Sequence, residues 1–110
     1  KTRFVNELDE HPNPSPLGET QLVCIVQEAL ANVRKHSGAR HVELRLSAQD
    51  GSVYVSVTDD GVGFVPHRAR GHFGLETMRE RSQSAGGELS VISTPDEGTT
   101  VALRLPRLQE

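Results

Sequence analysis

Two runs of alternating apolar and polar residues on either side of one Asp-Gly pair constrain this chain most. Val42, Leu44 and Leu46 alternate with Glu43, Arg45 and Ser47, and Val53, Val55 and Val57 alternate with Tyr54, Ser56 and Thr58. Successive side chains of a strand point to opposite faces, so each run reads as a half-buried strand. Between them lies Gln49-Asp50-Gly51-Ser52, and Asp-Gly suits a tight hairpin turn because both central residues of that turn need positive φ. A β-hairpin with one apolar face follows, and that face needs a covering layer.

A helical pattern lies upstream. From Leu17 to about His36, the residues Leu22, Ile25, Val26, Ala29, Leu30 and Val33 recur at three- and four-residue steps, which predicts a helix with one buried face. Gly18 is expected before its start, and Ser37-Gly38 supplies its stop. Phe4, Val5 and Leu8 suggest a short edge strand, followed by an extended connection enforced by Pro12, Pro14 and Pro16. The stretch from Gly61 to Gly74 has too little apolar pattern for regular structure and is expected to be a mobile loop. A second helix from Gly74 to about Ala85 would bury Leu75, Met78 and Ala85, and Gly86-Gly87 would end it. Strands over 88–93 and 99–105 close the chain around Thr94-Pro95-Asp96-Glu97-Gly98.

At 110 residues the chain fits one α/β domain with a single core, residues 1–110. A formal net charge of -3 argues against sequence-independent nucleic-acid binding, so an anionic ligand must be held by local groups. The single Cys24 can form no internal disulfide and sits among Leu22, Val23, Ile25 and Val26, which reads as inert packing in a reducing compartment. No apolar run approaches the roughly 20 residues that span a bilayer, and no signal-peptide plan opens the chain. A soluble, cytoplasmic piece of something longer, with no membrane contact of its own, is the expectation.

Four motifs occur in a fixed order: Gln27-Glu28-Ala29-Leu30-Ala31-Asn32-Val33-Arg34-Lys35-His36, Asp59-Asp60-Gly61-Val62-Gly63, Gly71-His72-Phe73-Gly74-Leu75 and Gly98-Thr99-Thr100. On a helix turning about 100° per residue, Glu28, Asn32 and Lys35 share one border of the apolar face. Their types suit a metal–triphosphate: an amide oxygen for Mg²⁺, an ammonium for phosphate and a carboxylate to orient a metal-bound water. Taken alone, such a stripe is more often a solvated helix edge. His36 falls nearer the apolar face and reads as a packed or helix-ending histidine. Asp59 follows a strand directly, where a buried carboxylate accepting from an exocyclic amino group would choose adenine over guanine. Gly61 and Gly63 would let the backbone approach a flat ligand, although Asp-Gly by itself is also a turn signal. Gly71, Gly74 and Leu75 lead into the second helix, whose first-turn N–H groups suit phosphate oxygens. A Thr99 hydroxyl could reach the base directly or through water.

Jointly, these motifs resemble the asparagine box, the two glycine boxes and the terminal Gly-Thr box of the GHKL ATPase superfamily, over about Gln21 to Pro106. With a short lid and Phe73-Gly74-Leu75-Glu76-Thr77-Met78-Arg79-Glu80-Arg81 running to Gly86-Gly87, the sequence looks like the catalytic domain of bacterial sensor histidine kinases of the nitrate-sensor type. That resemblance implies a Bergerat fold, a two-layer sandwich whose mixed, mostly antiparallel sheet is covered on one face by helices. It implies ATP and Mg²⁺ as ligands, with Asn32 on the metal, Lys35 on phosphate, Asp59 on the adenine amino group and Gly61 and Gly63 shaping the base pocket. Gly71 and Gly74 would frame lid and phosphates, Leu75 would follow them, and Thr99 would sit at the base. Glu28 and Asn32 are the candidate catalytic residues, the acid acting as general base in water-splitting members.

The implied partners are the helical dimerisation and phosphoacceptor domain of a parent kinase, for which the resemblance leaves membrane anchoring open, and indirectly a response regulator. The family's phosphoacceptor hairpin is absent from this sequence, so the chain is not expected to phosphorylate itself. The five histidines lack the paired spacing of a zinc site. Two further readings share the residues: a serine kinase of the anti-sigma type, and a nucleotide-gated binding module without phosphoryl transfer.

Overall fold

The computed structural model describes residues 2–8, 15–65 and 74–106. Five strands form one sheet: β1 (Thr2–Asn6), β2 (Val42–Gln49), β3 (Ser52–Asp59), β4 (Glu88–Thr94) and β5 (Gly98–Pro106), in the spatial order β1-β2-β3-β5-β4. Two helices, α1 (Pro16–Asn32) and α2 (Leu75–Ser84), cover one face of it. The hairpin closes as its turn chemistry requires. Gln49 pairs with Ser52, and Asp50 and Gly51 take φ of 51° and 78°. β1 runs parallel to β2, with Phe4 beside Leu44, while every other pairing is antiparallel. A parallel pair needs a long crossover, and α1 lies within that connection.

Strand alternation sorts the side chains. Val53, Val55 and Val57 of β3 and Val101, Leu103 and Leu105 of β5 are buried on the helical side. Ile25 and Ala29 of α1 and Leu75 and Met78 of α2 complete the core against Val57 and the β5 residues. At about 1.5–3 kcal/mol for each large aliphatic side chain buried, this layer supplies the main stabilisation of the fold. The opposite face stays open, with Tyr54 and Ile92 exposed.

Two boundaries differ from the sequence expectation. Gly18 lies inside α1, because Ser15 is the N-cap and its Oγ accepts from the Gly18 N–H at 2.9 Å. Pro16 therefore begins the helix rather than prolonging the extended connection, since a missing N–H costs nothing at the first helical position. Leu8 falls beyond the end of β1. The expected stops hold: Gly38 takes φ 62° after α1, and Gly86 takes φ 75° after α2, its N–H donating to Gln83 O at 3.0 Å.

Candidate functional site

β3 ends on Asp59, and alternation turns that carboxylate to the helical side while Asp60 turns away. Asp59 is 7% exposed and lies directly opposite Thr99 of β5. Its Oδ1 accepts from the Gly61 N–H at 2.8 Å. Beside it opens a cavity of about 90 Å³ between sheet and helices. Val57 and Val101 line it from the sheet, Ala29, Asn32 and Val33 from α1 and its extension, and Leu75 from the start of α2. An apolar slot with a carboxylate on one wall suits a flat ring bearing an N–H donor. The size is that of a ring system and falls below the roughly 300–1,000 Å³ of pockets that enclose whole small molecules.

The end of α1 is not regular. Residues Val33–Ser37 form a π-helical turn before Gly38 reverses the chain. A turn bonded i→i+5 advances less than 100° per residue, so Lys35 rotates away from the line through Glu28 and Asn32. This corrects the expectation of a shared stripe. Asn32 lines the cavity, Lys35 is exposed on the wide turn, and Glu28 opens on a separate groove with Gly74, Thr77 and Arg81. Of the two readings expected for His36 the structure bears out the helix-ending one: it lies exposed in the last turn and lines the cavity.

The first residues of the expected mobile loop are held in place. The Val62 N–H donates to Ser37 O at 2.8 Å, the Asp96 N–H donates to Val62 O at 2.6 Å, and the Phe64 N–H donates to Ser93 Oγ at 2.9 Å. This strap, residues 61–64, ties the wide turn to the β4–β5 turn and walls the cavity with Val62, Gly63 and Phe64. The glycines serve contacts within the chain. A Cβ on Gly61 would stand 2.3 Å from Ser37 O, and one on Gly63, at φ 64°, would stand 2.0 Å from Thr94 O. Gly63 still lines the cavity, whereas Gly61 shapes it from behind. Residues 66–73, including the candidate Gly71, lie outside the described residues.

Gly74 caps α2 at φ 66° and has no side chain to bond the first-turn N–H groups, next to Leu75 on the cavity wall. Glu28 lies against Gly74, with Oε1 2.7 Å from where a Cβ would stand. The described residues contain no cluster of three or more His, Cys, Asp or Glu able to hold a metal. Mg²⁺ does not demand one, since it is usually held by one or two protein oxygens together with waters and substrate phosphates. The Asn32 amide on the cavity wall fits that role.

Two groups were not singled out from the sequence. Asp60 Oδ1 accepts from the Arg40 and His41 N–H groups at 2.9 Å each, and Oδ2 lies 2.8 Å from His41 Nδ1. The His41 backbone and ring bonds, followed by the Arg40 N–H, hold its pKa down to about 2. Ser93 sits at an inward register position of β4 after Leu89 and Val91, and its hydroxyl meets Thr99 Oγ1 at 2.7 Å. A polar residue at a position where the alternation calls for an apolar one was the available signal.

The family described as Histidine kinase-, DNA gyrase B-, and HSP90-like ATPase matches residues 18–109. The chain belongs to this ATPase family. Among curated relatives, the signal transduction histidine-protein kinase/phosphatase DegS of Brevibacillus brevis is 38% identical over 89 residues, covering 80% of this chain and 23% of the relative. The sensor protein VraS of Staphylococcus aureus is 31% identical over 109 residues, covering 98% of this chain and 31% of the relative. The chain thus spans about a quarter to a third of the length of these relatives. The histidine kinase domain of the Erythrobacter litoralis EL346 blue-light activated histidine kinase superposes with a TM-score of 0.75 at 26% identity, covering 96% of this chain and 51% of that one. The ATP binding domain of PrrB from Mycobacterium tuberculosis gives 0.70 at 27% identity, with 96% and 82% covered. The expected two-layer sandwich, with a mixed sheet covered on one face, is the fold of the histidine kinase ATPase domains. The family assignment places the candidate residues in a domain homologous to those of sensor histidine kinases.

Proposed function

We propose that this chain, over residues 1–110, is the ATP-binding catalytic domain of a cytoplasmic part of a sensor histidine kinase, presenting Mg-ATP to a histidine on a separate helical domain. The observation that carries the reading is the buried Asp59 carboxylate, fixed through one oxygen and lining an apolar cavity together with Asn32 and Thr99. Asp59 would accept from the adenine amino group, Thr99 would contact the ring, and Asn32 would hold Mg²⁺ against the phosphates. Mg²⁺ supplies charge neutralisation on the phosphate oxygens. Lys35 and the first turn of α2 after Gly74 would meet the phosphates where they leave the slot, with Gly71 and Gly74 framing that end. The acceptor imidazole attacks the γ-phosphorus, the bond to the ADP oxygen breaks, and the phosphoryl group passes on to a response-regulator aspartate.

Positioning and electrostatics carry most of such a reaction, so the chain needs no general base of its own. Glu28 would orient water or the acceptor from its place beside Gly74. The similarity to sensor kinases favours histidine over serine as the acceptor. Titration of ATP with Mg²⁺ into wild type, Asp59→Ala and Asn32→Ala tests the site, with clear weakening expected in both variants and undiminished binding in both rejecting it. Labelled ATP mixed with this chain and the helical domain of the parent protein should mark a histidine, in an acid-labile and base-stable bond.

A further inference from the structure

We infer that Ser93 is a specificity-determining positioning residue, whose hydroxyl orients the Thr99 hydroxyl as a donor toward the ring of the bound purine. Three groups meet Ser93 Oγ: the Phe64 N–H at 2.9 Å, Gly98 O at 3.1 Å and Thr99 Oγ1 at 2.7 Å. The amide can only donate and the carbonyl can only accept. Ser93 therefore gives one lone pair to the strap and has a single proton to place on either Gly98 O or Thr99 Oγ1. When that proton goes to Thr99, the Thr99 proton is freed for the cavity. All three contacts are bonds at once only when it goes to Gly98 O, with Thr99 donating back to Ser93 and turning only lone pairs to the cavity, so a bound ring-nitrogen acceptor must draw the Thr99 proton and reverse the Ser93–Thr99 bond.

The edge of adenine carries an N–H donor beside a ring-nitrogen acceptor, and guanine carries the reverse order at the same positions. Asp59 and Thr99 are direct partners across β3 and β5 and line one cavity. A carboxylate acceptor next to a hydroxyl donor complements adenine at both atoms, directly or through a water. The donors then run in one direction, from Phe64 N–H to Ser93 to Thr99 to the base, and each bond polarises the next. The hydroxyl that anchors the strap thereby also sets the sense of base recognition.

This rests on the ATP reading above, and the test separates the two. Affinities are measured for ATP and for 1-deaza-ATP, in which the ring acceptor beside the amino-bearing carbon is a C–H group. Ser93→Ala is expected to weaken ATP roughly three- to tenfold while leaving 1-deaza-ATP within about twofold of wild type, the worth of one neutral hydrogen bond. In a Thr99→Val background, Ser93→Ala should add no further loss for ATP. Equal weakening of both nucleotides, or no weakening of ATP, overturns the inference. Should Ser93→Ala fail to fold, Ser93→Cys, a weak donor of similar shape, carries the same comparison. A wild-type chain that does not bind ATP overturns the proposed function instead, and this inference with it.

Discussion

Adjacent carboxylates on this chain have opposite tasks because a strand turns neighbouring side chains to opposite faces. Asp59 looks into the cavity, while Asp60 binds the backbone of residues 40 and 41 and the His41 ring. The Asp60 pKa of about 2 lies below its ordinary 3.8, so its ionised form is favoured by folding. Its stabilising contribution is fully present above the ordinary value and is lost as pH falls from about 3.8 towards 2. Acid unfolding followed by circular dichroism should therefore show a shallower loss of stability across that window in Asp60→Asn than in wild type. An identical acid limb would contradict the assignment. Nothing in the Asp-Asp dipeptide itself marks which carboxylate serves which end; the register of β3 against β5 decides it.

At the scale of elements, backbone-donated hydrogen bonds tie the strap after β3 to the wide turn of α1, to the β4–β5 turn and to Ser93. Glycine is required where these segments touch, and the requirement differs between positions. Gly38 needs only its positive φ, since nothing lies within 4 Å of an added Cβ. Gly63 needs both its φ and the missing side chain. Gly38→Ala should cost about 1–2 kcal/mol in urea unfolding, while Gly63→Ala should cost more than about 3 kcal/mol or prevent folding. Comparable losses at the two sites would show that the strap is less tightly docked than its contacts indicate. Ser15→Ala, removing the α1 cap, should cost about 1 kcal/mol, checked in the same assay.

For the whole molecule, the cavity lies where both layers contribute, so a ligand there links sheet, α1 and α2 at once. Anything that binds only the folded state stabilises it by mass action, by about 2.7 kcal/mol at a ligand concentration of 100 Kd. For a domain of this size that raises Tm by about 10 °C or more. ATP with Mg²⁺ should produce such a shift in wild type by calorimetry, and Asp59→Ala should lose most of it at the same concentrations. Met78→Ala separates stability from binding: its side chain is buried in the core and does not line the cavity, so it should cost about 2–5 kcal/mol and still show the ATP-induced rise.

Local patterns were enough to identify both helices, the strands and the family, because periodicity, Asp-Gly turn chemistry and glycine stops act over a few residues. The motif order also brought Asn32, Asp59, Gly63, Leu75 and Thr99 to one cavity. Other features depended on contacts between segments far apart in the chain. A helical wheel assumes a regular helix, so it could not anticipate that the π-turn at Val33–Ser37 would carry Lys35 away from Asn32. Nor could it show that Gly61 and Gly63 make room for Ser37 and Thr94, or that Ser93 joins the strap to Thr99. The strap meets Ser37, Ser93 and Thr94 across 24 to 31 positions of sequence, and only the packed sheet and helices bring them together.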